Sequence, residues 1–270
     1  MGHQIDGPAF NKLREEERTK GEREMYLQIT TKCNMRCAHC CYSCGKNGKH
    51  MEYTTAVDAI SFARNYDDEI ISIGGGEPTL HPRFFDILRF CIQDFPFVWM
   101  ATNGSKSKIM RRLANIILEE DYPEGLNFED EAAYDAALEA HNPIFQSGQL
   151  TVALSTDYFH RPIDEKITNL WKHLAKNHRQ GFETRDVTQS IHGISAAGRA
   201  IKTGSGWGEH CVCPELIIRP DGKIKLCGCT NSPIIGDIWS DIEENWKKII
   251  RKNKKYSDER CHKALKRREK

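Results

Sequence analysis

Short apolar runs alternate along the chain with longer amphipathic segments, and this alternation constrains the fold more than any other feature. Strand-like runs occur at 25–30, 69–73, 97–103 and 149–156, with a weaker one near 182–188. Helix-like segments occupy 54–66, 82–95, 106–120 and 163–178. Because a helix between two strands carries the chain back to the same end of the sheet, such alternation produces parallel strands. The sequence therefore predicts an α/β fold built on a parallel sheet.

Two stretches interrupt the alternation. Residues 121–148 contain the acidic, alanine-rich sequence FEDEAAYDAALEAHN, which predicts an inserted helix. Nearer the C-terminus, the sequence LIIRPDGKIKLCGC predicts a β-hairpin that turns at Asp221-Gly222, since this dipeptide favours tight turns between alternating runs. The glycine-rich segment 193–210 precedes that hairpin, and we interpret it as the passage into a second, smaller unit.

The cysteine content bears on the cellular compartment and on metal binding. The chain has 270 residues and eleven cysteines. Its apolar runs are too short to span a membrane, and its first residues lack the apolar core of a signal peptide. We therefore predict a cytoplasmic protein without membrane contact. Because the cytosol keeps thiols reduced, these cysteines indicate metal or cluster binding rather than disulfides.

Five cysteines lie close together after the first predicted strand, in the sequence CNMRCAHCCYSC. Cys33, Cys37 and Cys40 form a C-x3-C-x2-C motif, and three thiolates at this spacing can hold three irons of a cubane cluster while the fourth iron stays open. An open metal position is where a substrate or cofactor binds. The adjacent pairs Cys37/Cys40 and Cys41/Cys44 leave a four-thiolate zinc site as the alternative.

The cysteine motif resembles that of the radical SAM superfamily, whose members have a partial (β/α)6 TIM-like barrel. The sequence GGGEP at 74–78, after the second predicted strand, resembles the family's Gly-Gly-Glu motif, which contacts the amino group of the methionine part of S-adenosylmethionine. The resemblance implies that Cys33, Cys37 and Cys40 hold a catalytic 4Fe-4S cluster. It also implies a set of residues that bind S-adenosylmethionine. These residues are His39, Gly74, Gly75, Gly76, Glu77, Asn103, Ser155 and Asp157.

This resemblance has one departure from the family pattern. His39 stands where the family usually has an aromatic residue before the third cysteine, and an imidazole can still pack edge-on near adenine. At the end of the fourth predicted strand, Ser155 and Asp157 resemble the family's ribose contacts. Capping of the following helix is the alternative for Asp157.

A second group of cysteines brackets the predicted hairpin. The spacing from Cys211 through Gly222 to Cys227 resembles the opening of the SPASM and twitch extensions, which hold auxiliary iron–sulfur clusters. The resemblance implies a shortened extension with one auxiliary 4Fe-4S cluster, and a zinc ribbon is the alternative. The candidate metal ligands of this group are Cys211, Cys213, Cys227, Cys229 and Cys261. The implied divisions are a segment 1–23, a barrel 24–205, an extension 206–246 and a basic tail 247–270.

The resemblance implies reductive cleavage of S-adenosylmethionine to a 5′-deoxyadenosyl radical that abstracts a hydrogen atom from the substrate. We predict oxidative modification of a peptide or protein side chain, with action on a small polar metabolite or nucleotide as the alternative. The electron donor implied is a reductase or a flavodoxin- or ferredoxin-type protein. A non-enzymatic alternative is a metal-stapled module whose basic tail binds nucleic acid or an acidic protein, although a solvated basic helix explains the tail more simply.

Overall fold

The computed structural model describes residues 25–66, 69–117, 149–160, 163–177, 181–189, 198–206, 216–225 and 234–240, together with 248 and 251. The strands are β1 Met25–Thr30, β2 Ile70–Gly75, β3 Phe97–Thr102, β4 Leu150–Ser155, β5 Phe182–Arg185, β6 Leu216–Ile218, β7 Lys223–Lys225 and β8 Ile234–Asp237. The helices are α1 Tyr53–Tyr66, α2 Phe84–Asp94, α3 Ser107–Ile117, α4 Glu165–Asn177 and α5 Arg199–Thr203. Single 3-10 turns lie at Pro78–Leu80 and Val187–Gln189.

The strands form one sheet in the order β5-β4-β3-β2-β1-β6-β7-β8. Strands β1 to β5 pair in parallel with their sequence neighbours, and helices carry the chain between the first four of them. This confirms the predicted α/β fold with a parallel sheet. Within the described ranges the sheet does not close into a ring, so the (β/α)6 barrel stays a prediction.

Apolar side chains cover the sheet on the helical side. All six residues of β1 are buried, as expected for a strand with both faces covered. Helix α2 turns one apolar face to the core, and Cys91 lies on this face with no exposed surface. On α4, Trp171 is fully buried, and its indole N–H donates to the Val152 carbonyl at 3.1 Å.

The predicted C-terminal hairpin is present. Strands β6 and β7 are antiparallel, and the amide of Gly222 donates to the Arg219 carbonyl at 2.9 Å. Gly222 has a φ of +68°, the left-handed conformation that closes a three-residue hairpin loop. Strand β6 also pairs in parallel with β1, so the hairpin continues the main sheet. The predicted domain boundary at 205/206 stays a prediction.

Several predicted features lie outside the described residues. These include the inserted helix within 121–148 and nearly all of the basic tail. They also include the five cysteines around the hairpin, namely Cys211, Cys213, Cys227, Cys229 and Cys261. Among the helices that are described, none combines the length and apolar character needed to cross a membrane.

Candidate active site

The predicted site residues meet at the carboxyl ends of strands β1 to β4, where parallel α/β proteins place their functional groups. A cavity of about 700 Å³ opens there. The loop after β1 brings the cysteine motif to it, and the ends of β2, β3 and β4 bring Glu77, Asn103 and Ser155. The structure thus brings these groups together at one edge of the sheet.

Cys33, Cys37 and Cys40 all line this cavity as free thiols. The loop that carries them folds back on the end of β1, since the Cys33 amide donates to the Gly45 carbonyl at 3.0 Å and the Thr31 amide donates to the Lys49 carbonyl at 2.8 Å. Three soft thiolate donors on one short loop are a ligand set suited to an iron–sulfur cluster.

The thiols of this loop differ in acidity. Burial raises the pKa of Cys33 to about 11. A hydrogen bond from the Cys44 thiol lowers the pKa of Cys40 to about 6 and raises the pKa of Cys44 itself. Metal ligands must be deprotonated, so Cys40 is prepared as a thiolate while Cys44 acts as its donor. This gives Cys44, which the sequence left unassigned, a contact within the loop.

Glu77 lies at the end of β2 and is 1% exposed. Its Oε1 accepts from the Thr79 amide at 3.2 Å, the Thr79 hydroxyl at 2.6 Å and the Thr102 hydroxyl at 2.7 Å, while Oε2 accepts from the Asn103 amide at 2.7 Å. Burial raises the pKa of Glu77, and these four donors oppose the shift because they favour the ionised form. The carboxylate therefore ties the end of β2 to the end of β3.

The glycines before Glu77 let β2 approach the loop after β1. Gly75 has a φ of +143°, and a Cβ atom placed there would overlap the Thr30 carbonyl. Gly75 and Gly76 line the cavity, and Gly74 packs against the ring of Tyr26. Because Gly75 and Gly76 have no side chains, their backbone groups face the cavity.

Asn103 links β3 to the cysteine loop. Its side-chain amide nitrogen donates to Asn34 Oδ1 at 3.0 Å and lies 3.9 Å from Cys33 Sγ, and its Oδ1 accepts from the Ser105 amide at 3.0 Å. The predicted pocket residue is thus only 5% exposed and has defined partners.

The end of β4 brings His39, Asp157 and His160 together, with their ligand-capable atoms within 4.8 Å of one another. Asp157 Oδ1 accepts from His160 Nδ1 at 2.8 Å. Asp157 Oδ2 and His39 Nδ1 are buried and have no hydrogen-bond partner among the described residues. Asp157 does not cap α4, because Asp164 accepts the Lys166 amide at the start of that helix. Asp157 thus binds His160 beside the cavity that His39 and His160 line.

These three side chains carry different charges. Burial lowers the pKa of His39 to about 4. Burial also opposes charge on His160, but hydrogen bonds to Asp157 and Cys37 outweigh it and raise the pKa of His160 to about 9. Burial opposes charge on Asp157 as well, yet the bond from His160 leaves the pKa of Asp157 lowered. The end of β4 thus presents a neutral imidazole, an imidazolium and a carboxylate.

Sequence reasoning missed two contributors to this region. Thr102 anchors Glu77, and Arg199 on α5 donates to backbone carbonyls of the cysteine loop. Thr102 could have been noticed, because it precedes the predicted Asn103 on the same strand. Arg199 had no comparable signal, since it lies 162 residues beyond Cys37.

Comparison with known proteins gives one family. Residues 27–170, more than half of the chain, match the Radical SAM superfamily. A nucleotide dehydratase dependent on S-adenosylmethionine, from a Thermoplasmatales archaeon (strain ISO4-H5), is 38% identical over 85 residues, which are 31% of this chain and 30% of that protein. Mycofactocin maturase MftC of Mycobacterium ulcerans is 30% identical over 90 residues, 32% of this chain and 24% of that protein.

An uncharacterized protein of Methanocaldococcus jannaschii, MJ0907, is 30% identical over 113 residues, 40% of this chain and 39% of that protein. The matched segments thus span less than half of the length of these relatives. Among solved structures, BtrN in complex with AdoMet and 2-DOIA superposes with a TM-score of 0.57 at 15% identity and covers 87% of each chain. The likeness to BtrN shows a shared fold.

Proposed function

This chain is an enzyme of the radical SAM superfamily, and we propose that it cleaves S-adenosylmethionine reductively in order to modify a peptide or protein side chain oxidatively. Membership in the superfamily implies a 4Fe-4S cluster and S-adenosylmethionine. The observation that carries the proposal is the convergence of Cys33, Cys37 and Cys40 with Glu77 and Asn103 on one cavity. Family membership favours an enzyme over the non-enzymatic metal-stapled module that the sequence left as an alternative.

The residues present fit both groups. Three free thiols on one loop offer the soft donors that an iron–sulfur cluster requires, and a cluster held by three cysteines keeps one iron open. The buried Oδ2 of Asp157 can accept from a ribose hydroxyl, and the buried Nδ1 of His39 can pair with a polar group of adenine. These two buried atoms would thus each gain a partner when S-adenosylmethionine is bound.

The side chains of this protein then hold and orient the reacting groups. When bound, the cluster would supply the electron for reductive cleavage of S-adenosylmethionine, the chemistry that allows a hydrogen atom to be removed from the substrate. Cys33, Cys37 and Cys40 hold the cluster, and Gly75 and Gly76 offer backbone groups to the methionine part. Glu77 keeps the ends of β2 and β3 together and offers Oε2 to an ammonium group, because this oxygen accepts one bond among the described residues.

The strand residues that line the inner part of the cavity indicate which class of substrate fits there. Tyr26, Ser72, Trp99 and Thr151 stand at matching positions on four neighbouring strands and all line the cavity. Over the described residues the sheet ends at β5 without closing, and an open side suits a polymer that inserts one side chain. The row of hydroxyl and aromatic groups favours a second candidate, a small polar metabolite or nucleotide, because such a row can hydrogen-bond and stack a compact ligand.

The second group of cysteines supports a further part of the proposal. We infer that Cys211, Cys227 and Cys229 bind an auxiliary 4Fe-4S cluster in a twitch-like extension, with Cys213 or Cys261 as the fourth ligand or with the fourth iron open to substrate. The electron donor in the cell would be a reductase or a flavodoxin- or ferredoxin-type protein.

The test is anaerobic reconstitution with iron and sulfide, followed by iron counting and a dithionite assay for 5′-deoxyadenosine. The wild type should bind about eight irons, and a variant with Ala at Cys33, Cys37 and Cys40 should bind about four and form no 5′-deoxyadenosine. Bound zinc without 5′-deoxyadenosine in the wild type would contradict the proposal. Substrate class follows from deuterium transfer into 5′-deoxyadenosine from deuterated peptides or from deuterated nucleotides and aminosugars.

As a matched test of cofactor binding, Asp157→Asn should weaken retention of S-adenosylmethionine about tenfold, because the amide loses an acceptor and a charge. Equilibrium dialysis of the reconstituted protein measures this. Asp164→Asn, at the start of α4, is the control. Equal retention by both variants would remove Asp157 from the binding site.

A further inference from the structure

We propose that Arg199 is a positioning residue for the iron–sulfur cluster: it clamps the backbone of the cysteine loop, residues 33–44, and holds a permanent positive charge beside it. The proposal rests on the proposed function, since it assumes that this loop binds a 4Fe-4S cluster. It assigns a role to the glycine-rich segment 193–210, which the sequence indicated only as a passage between two units.

Arg199 donates to the cysteine loop from three of its nitrogen atoms. Its backbone amide donates to the Cys40 carbonyl at 2.9 Å, one terminal guanidinium nitrogen donates to the Cys37 carbonyl at 2.8 Å, and the other donates to the Cys44 carbonyl. One residue thus satisfies the carbonyls of two predicted cluster ligands and of the cysteine that donates to Cys40. Within the loop, the Cys37 carbonyl also accepts from the Cys40 amide and the Cys40 carbonyl from the Ser43 amide, each at the long distance of 3.3 Å, so Arg199 adds shorter bonds to these two turns.

Thr203 at the end of α5 and Gly198 just before it also contact the cysteine loop. The Thr203 hydroxyl, one helical turn after Arg199, donates to the Ala38 carbonyl at 2.9 Å. Gly198 has a φ of +56°, and a Cβ atom at this position would overlap the Cys41 carbonyl, so a glycine is needed for α5 to come this close. Backbone atoms of residues 37, 38, 40, 41 and 44 therefore all lie against a five-residue helix.

The charge of Arg199 acts on the same loop. A guanidinium stays protonated at every physiological pH. Because a reduced cluster carries one more negative charge than an oxidised cluster, a fixed cation nearby stabilises the reduced form. Arg199 would thus act twice, by holding the loop in shape and by favouring the reduced cluster.

Lysine separates these two effects. A lysine keeps the positive charge, but its single ammonium lacks the planar fork that reaches two carbonyls at once. Glutamine removes the charge and most of the donors. Thr203→Val removes one hydrogen bond to the loop and leaves the charge of Arg199 in place. Lys202→Gln is the matched control, because Lys202 is an exposed cation on the same helix.

The experiment uses the reconstituted full chain without substrate and has two readouts besides activity. The first is the rate at which iron is released to a ferrous chelator. The second is the fraction of reduced cluster as a function of applied potential, measured by EPR. Tryptophan fluorescence and circular dichroism establish that each variant is folded.

Arg199→Lys and Arg199→Gln should both release iron about tenfold faster than the wild type, as expected when two hydrogen bonds to the loop are lost. Only Arg199→Gln should also lower the ratio of reduced to oxidised cluster about tenfold at a fixed potential, a shift of about 59 mV for one electron. Thr203→Val should release iron a few-fold faster without a change in potential. If Arg199→Gln fails to fold, the lysine and valine variants still test the clamp.

Two negative outcomes are distinct. If the wild type binds a cluster, and the Arg199 variants match Lys202→Gln in both iron release and potential, the role of Arg199 is refuted and the proposed function stands. If the wild type binds no iron–sulfur cluster, the proposed function is refuted and the role of Arg199 with it.

Discussion

Replacement of Glu77 by glutamine should destabilise the protein strongly, for a reason that is visible in the hydrogen bonds of the carboxylate. Four donors surround it, and three of them converge on Oε1. A glutamine can place its oxygen at that position and keep three bonds. Its amide group must then face the backbone amide of Asn103, which donates to Oε2 in the native protein. Two buried donors would point at each other.

The magnitude follows from these contacts. Each of the three remaining bonds loses the ionic component that separates a charged bond from a neutral one, about 1 kcal/mol, and a buried amide left unpaired costs about 1–3 kcal/mol. Allowing for relaxation, we expect Glu77→Gln to lower the free energy of unfolding by about 3 kcal/mol. With a urea slope of about 3 kcal/mol/M for a chain of this size, the midpoint should fall by about 1 M.

Anaerobic urea titration monitored by tryptophan fluorescence measures the midpoint, with buried Trp171 as a reporter of the sheet. Glu52→Gln is the control, because Glu52 is exposed. Thr102→Val should cost less than Glu77→Gln, and it should cost less in the Glu77→Gln background than in the wild type, since glutamine keeps the Thr102 bond without its ionic component. Equal midpoints for Glu77→Gln and Glu52→Gln would refute this account of the carboxylate.

Three further predictions concern the scaffold. Gly75→Ala should lower the melting temperature by about 5 °C, because the φ of +143° and the nearby Thr30 carbonyl leave no room for a side chain. Gly204 also has a positive φ but lies in open space, so Gly204→Ala measures the effect of backbone strain alone in the same thermal scan. Trp171→Phe should lower the free energy of unfolding by about 2 kcal/mol in urea, as it loses a buried hydrogen bond and leaves a void. The Ser107 hydroxyl lowers the pKa of Asp164, so the stability that Asp164 adds over Asp164→Asn should be full above about pH 4 and disappear as the pH falls below it; a stability difference independent of pH would contradict this.

The sequence predicted the groups whose position is set by strand order. Each predicted site residue that the structure describes follows or ends a parallel strand, and the carboxyl ends of such strands meet at one edge of the sheet. Strand β1 occupies the predicted range 25–30, where four of the six residues are apolar and both faces are buried. Local pattern and topology were sufficient for this part of the fold.

Partners across long separations could not be predicted in this way. The Asp221-Gly222 turn predicted the hairpin. Nothing in the sequence of β6 indicates that this strand pairs with β1, because backbone pairing carries little sequence information. Glu77 was predicted to bind S-adenosylmethionine, but the sequence did not indicate that four protein donors also bind its carboxylate. Arg199 could not be assigned because its partners are carbonyl groups, which every residue has.

The cysteine loop shows why so many thiols can occur together without all being ligands. Cys44 is 4% exposed; its thiol donates to Cys40 and its carbonyl accepts from Arg199, so both of its polar groups serve the loop. The loop thus has two supports, Cys44 from within and Arg199 from a distant part of the chain. With Cys33, Cys37 and Cys40 as the proposed cluster ligands, removal of either support should leave these thiols in place and change only how well they are held. The iron-release rate would then report on the supports, and the iron count on the ligands.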